Sequence, residues 1–126
     1  MHVSQNDKSQ SKSGTLSLHF HLHVLNFLFV GLPIFTSIPP SLVTPKEFFM
    51  LRQTCQAVGF PLPVISWTRS GIPLPVDKTE VKDGSLTVKN LSPADSGLYE
   101  CAATNSMGTK KAKMNVVVQK GPSKGL

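Results

Sequence analysis

Cysteine is scarce in this chain of 126 residues, Cys55 and Cys101 being the only two. Two thiols cannot fill a four-ligand zinc site by themselves, and they show no Cys-x-x-Cys spacing, so redox and metal chemistry are poorly supported. One structural disulfide is the simpler reading, reactive thiols being the alternative, and a disulfide places the chain in an oxidising compartment. Paired carboxylates, a nucleophile with its base, a glycine-rich phosphate loop and a metal-ligand cluster are all missing, so neither catalysis nor a cofactor is expected. Long amphipathic helical patterns and internal repeats are missing too. A membrane-spanning helix needs about 20 clean apolar residues, and Pro33 cuts the longest apolar run short.

What is present suits a small all-β domain. Ten prolines and nine glycines are scattered along the chain, as many short strands joined by turns require. Hydrophobic residues make up 40% of the sequence, enough to build a core. The net charge is +6. From Pro33 onward eleven Lys or Arg stand against six Asp or Glu, a balance of +5. Such a balance favours anionic partners, among them sulfated polysaccharide. Nucleic acid is set aside, because no nucleic-acid motif with its aromatic or zinc framework occurs.

Three segments follow from composition. Residues 1–32 open with a polar stretch rich in Ser, Gln and Lys, expected to be disordered, and continue into LSLHFHLHVLNFLFVGL. The densest apolar part, Val24 to Val30, follows Lys8 and Lys12, which is the order of parts in a secretory signal peptide or signal anchor. The fit is imperfect, since three histidines and Asn26 dilute the run and no small-x-small pair precedes Pro33. His19, His21 and His23 would share one face of a strand, where a metal site is imaginable; a histidine-diluted targeting segment is the favoured reading, with no metal. Residues 33–119 form the domain and 120–126 a flexible tail.

Within the domain, runs of period-two alternation mark strands at 34–38, 41–44, 50–57, 63–69, 79–82, 85–89, 97–104 and 109–118, with Gly, Pro and Asp-Gly between them. At the end of the domain, Ala112, Met114, Val116 and Val118 point one way while Lys111, Lys113 and Asn115 point the other. That is a strand with one face on a core and one in water.

Cys55, Trp67 and Cys101 form the decisive constellation. The interval from Cys55 to Trp67 holds a strand, a turn and a return strand, so the indole arrives between two sheets beside the cysteines. Tyr99 lies two residues before Cys101 and faces inward with it, placed to tie its hydroxyl back to the preceding turn at Asp95. These residues, with Gly59-Phe60-Pro61, Val64-Ile65-Ser66-Trp67, Gly84-Ser85-Leu86-Thr87-Val88, Asp95-Ser96-Gly97-Leu98-Tyr99-Glu100-Cys101, Ala103, Asn105 and Gly108, resemble an immunoglobulin domain of the intermediate (I-set) type. The resemblance implies an antiparallel two-sheet β-sandwich with one inter-sheet disulfide, Cys55–Cys101, and a core signature of Trp67, Leu86, Asp95 and Tyr99. Two departures stand out. The family usually has glycine near Phe48-Phe49, and an apolar residue where this chain has Gln53, which shares the inward face with Leu51 and Cys55.

The resemblance further implies cell adhesion, receptor–ligand recognition or matrix assembly at the cell surface or outside the cell, by surface complementarity and not by chemistry. Partners are then other proteins, second copies of the chain included. The competing class is an intracellular, sarcomere-type scaffold with reduced cysteines; a basic polysaccharide-binding module is the third. Such domains usually stand in tandem, so a lone copy is expected to be a fragment or a short secreted binder. Asn90-Leu91-Ser92 is a glycosylation sequon in an expected turn, weakened by Pro93. Lys111 and Lys113 form the candidate partner-binding face, with Lys110 beside them; solvated lysines that discourage edge pairing are the blander reading.

Overall fold

A computed structural model of the chain describes residues 30–121. The polar and apolar segments up to residue 29, with His19, His21 and His23, and the tail from residue 122 lie outside the described residues. Nine strands follow in order: β1 (Ile34–Ser37), β2 (Leu42–Val43), β3 (Leu51–Thr54), β4 (Gln56–Val58), β5 (Val64–Arg69), β6 (Thr79–Lys82), β7 (Ser85–Val88), β8 (Gly97–Asn105) and β9 (Gly108–Val116). A single turn of 3-10 helix, Pro93–Asp95, precedes β8. Among the described residues no helix is long and apolar enough to cross a membrane.

The strands make two facing layers. In one, β3 pairs with β7 and β7 with β6, while β4 continues β3 beyond Cys55 and pairs with β1. The other runs β2–β9–β8–β5, antiparallel except for the parallel pair β2–β9. Period-two alternation decides what lies between them. Leu51, Cys55, Leu86 and Val88 face inward from the first layer, and Trp67, Tyr99, Cys101, Met114 and Val116 from the second. Leu91 and Val118 close the end of this core.

Each expected run holds a strand, with one difference. The run expected over 50–57 is broken at Cys55, whose N–H donates to the carbonyl of Gly84 in the β6–β7 turn. The chain changes partner there, from β7 to β1. Gln53 faces Leu86 across the ladder yet is only half-buried. No fully buried side-chain nitrogen or oxygen among the described residues lacks a partner, so its amide reaches water and the desolvation penalty of an unmet buried group does not arise.

Candidate recognition surface

The interior is a pinned scaffold. Cys55 and Cys101 are bonded and fully buried, and Cys101 stands directly opposite Trp67 across β8 and β5. The Trp67 indole N–H donates to the carbonyl of Gly84 at 3.0 Å, so one turn holds both the tryptophan and the backbone of Cys55. Gly84 sits at φ +79°, and a Cβ there would lie 2.2 Å from the Cys55 carbonyl oxygen. Only glycine fits.

At the other end, the Tyr99 hydroxyl donates to the Asp95 carbonyl at 2.6 Å. The Asp95 carboxylate accepts the Ser92 N–H at 2.9 Å and pairs with the Lys78 ammonium. Asp95 is buried, and these partners make it a turn-forming residue. The Arg69 guanidinium lies 5.6 Å from the centre of the Tyr99 ring and donates to the carbonyls of Pro73 and Ala94. Burial pushes the Tyr99 hydroxyl above its usual range, with the nearby Arg69 charge opposing part of the effect. Leu86, the fourth signature residue, is fully buried. These side chains are occupied in holding the layers together, which leaves the outer surfaces for function.

Four surfaces are distinct. On the outer face of the second layer Lys113 stands opposite Glu100 and Lys111 opposite Ala102, with the Lys111 ammonium 3.6 Å from the Glu100 carboxylate. Lys110, on the alternate side of β9, lies instead beside Pro33 and Phe35. The outer face of the first layer carries a groove of about 460 Å³, lined by Arg52, Lys82 and Lys89 together with Glu80, Asp83 and Thr87. The sequence reading did not single out this groove, although Arg52 and Glu80 occupy outward positions on their strands. A third surface is apolar: Leu32, Ile34, Val58, Phe60, Leu62, Val64 and Met107 are all exposed, at the end of the sandwich where the 59–63 loop meets the β8–β9 turn. Asn105 ties that end together by donating to the carbonyls of Gly31 and Pro61. Lastly, Asn90 is exposed at φ +49° in the turn after β7, and its carbonyl accepts a bond from Lys78.

Two layers of antiparallel strands, joined by a buried disulfide against a tryptophan and closed by a tyrosine tied to its own turn, define an immunoglobulin-type sandwich. A family model of the immunoglobulin I-set domain matches residues 33–118. The chain belongs to that family. Human protein turtle homolog B is 37% identical over 91 residues, a match that covers 71% of this chain and 7% of that protein. The N-terminal Ig1-2 module of the Drosophila receptor protein tyrosine phosphatase DLAR superposes with a TM-score of 0.64 at 32% identity, over 71% of this chain and 47% of that one. The insect immune protein hemolin, described for a domain arrangement with implications for homophilic adhesion, superposes with a TM-score of 0.63 at 29% identity, over 69% and 22%. The chain thus spans a small part of the curated relative's length.

Proposed function

We propose that this chain acts as an extracellular protein-recognition module in cell adhesion or cell-surface and matrix recognition, binding by surface complementarity without catalysis. The buried Cys55–Cys101 disulfide carries the reading. A bond of this kind forms and persists in oxidising compartments, and it disfavours a cytosolic scaffold with reduced cysteines. Adhesion is supported by the hemolin likeness, and by the charged and apolar side chains exposed on the open faces of the sandwich. A protein partner fits the surface better than sulfated polysaccharide does, because Lys111 and Lys113 share their face with Glu100. The N-terminal apolar segment is the targeting signal, and Asn90 is the position available to a glycan.

Expression of the full chain in animal cells, with intact masses measured on medium and cell fractions before and after reduction and deglycosylation, tests this. Oxidised protein in the medium, binding to cell surfaces or matrix, is the expected result. Reduced, unmodified, full-length protein confined to the cytosol overturns it. Binding that collapses between low and physiological salt in favour of sulfated polysaccharide replaces the protein partner with the third class.

A further inference from the structure

A sandwich that is not closed into a barrel leaves strand edges with unpaired backbone groups, and such edges recruit other strands unless they are blunted. Most strand edges here are blunted: the open side of β3 is four residues long and exposes Arg52, and that of β4 is three residues long. The β1 edge carries a register irregularity between Phe35 and Ser37. The β2 edge is two residues long. The β6 edge exposes Glu80 and Lys82. The remaining edge, β5, runs six residues, with Val64, Ser66 and Thr68 as its outward, exposed side chains. None of these is charged. Its one charge, Arg69, is held by the carbonyls of Pro73 and Ala94.

The backbone groups left open on β5 follow from the ladder. Ser70 N–H donates to Leu98, and Arg69 stands opposite Tyr99. Bonds alternate along an antiparallel pair, so Val64, Ser66 and Thr68 bond to β8 while the N–H and C=O of Ile65, Trp67 and Arg69 point to the free edge. Pro63, next in that outward series, has no N–H to give.

We propose that the β5 edge pairs with the β5 edge of a second copy, antiparallel about a two-fold axis at Trp67, joining two β2–β9–β8–β5 sheets into one. This deepens, and rests on, the protein-recognition reading above by naming the partner and the surface. The occupant is a second copy because the strand is complementary to itself in one register. Trp67 faces the partner's Trp67, and Ile65 faces the partner's Arg69. Each of these pairs exchanges two backbone bonds, and none calls on the missing donor of Pro63; a register slipped toward the N-terminus does. On the outer face Ser66 then meets the partner's Thr68, with no like charges opposed. The contact is isologous and closes as a dimer.

Sedimentation equilibrium of the secreted, oxidised full chain should show a concentration-dependent monomer–dimer exchange. Ser66→Lys changes an exposed side chain, leaves the near-ultraviolet circular dichroism unchanged, and should raise the dimer dissociation constant about tenfold or more by placing a charge in each copy's edge. The register is read by cross-linking. Ser66 and the partner's Thr68 form a non-hydrogen-bonded pair with Cα atoms about 4.5 Å apart, within disulfide reach. A mixture of Ser66→Cys and Thr68→Cys chains should therefore cross-link as the hetero-pair, well above either chain alone. A chain that is monomeric at all concentrations, a dimer indifferent to Ser66→Lys, or cross-linking without preference for the mixed pair each overturns the proposal. If a monomeric chain still binds cell surfaces, the recognition reading stands and the edge alone falls; if it binds nothing, both fall.

Discussion

The sole tyrosine of the chain, Tyr99, couples the fold to pH. Burial raises its hydroxyl above the ordinary value of 10.0, so the native state holds that proton to higher pH than the unfolded chain does. The unfolded chain loses it first, so stability is full below about pH 10 and declines as pH rises toward the folded value. Urea unfolding at stepped pH from 8 to 11 should show this decline, and absorbance near 295 nm reads the lone phenolate without interference from another tyrosine. Tyr99→Phe should abolish the phenolate contribution and lower stability at pH 8 by about 1–3 kcal/mol, because the Asp95 carbonyl then loses a buried donor. Phe48 marks a second residue-scale point. It sits at φ +76°, a left-handed conformation that costs about 1–2 kcal/mol for a residue with a Cβ. The glycine expected near this position has its explanation in that angle. Phe48→Gly should relieve that strain while giving up the contacts of a partly covered ring, so the unfolding free energy should change by less than about 1 kcal/mol; a loss as large as a core truncation causes contradicts this.

Elements with one face on the core and one in water were the most legible from sequence. Strands β7 and β9 alternate cleanly because every second residue, Leu86, Val88, Met114 and Val116, is buried between the layers. The break at Cys55 was not legible, because it depends on a bond from a turn some thirty residues away. That turn is decided by Gly84, whose absent Cβ lets the Cys55 carbonyl approach and whose own carbonyl takes both the Cys55 N–H and the Trp67 indole. Gly84→Ala should lower stability by more than about 2 kcal/mol, since it adds left-handed strain to a contact no Cβ can occupy. The loss should come with a change in tryptophan fluorescence, as the only indole in the chain loses its place. An unchanged emission spectrum with unchanged stability shows the turn to be more adaptable than this.

At the scale of the whole molecule, the spacing of Cys55, Trp67 and Cys101 foreshadows the sandwich, while the surfaces depend on which strands lie side by side. Lys111 and Lys113 could be placed on one face from alternation alone, yet the charged groove around Arg52 and the open edge of β5 arise from pairings between strands far apart in sequence. One disulfide, Cys55–Cys101, ties the two layers together across the core. Its ends are 46 positions apart, a loop for which the chain-entropy account gives about 4 kcal/mol. A small domain has about 5–15 kcal/mol in total, so this tie is a large share of what separates folded from unfolded. Cys101→Ser should therefore largely unfold the protein, seen as loss of near-ultraviolet dichroism and of protection from proteolysis at 37 °C. Reduction of the native chain under mild denaturant should do the same, with refolding on reoxidation. A variant that melts within a few degrees of the native chain would place the stability in the packing of Trp67, Tyr99 and Leu86 instead, and would remove the physical reason for confining this fold to an oxidising compartment.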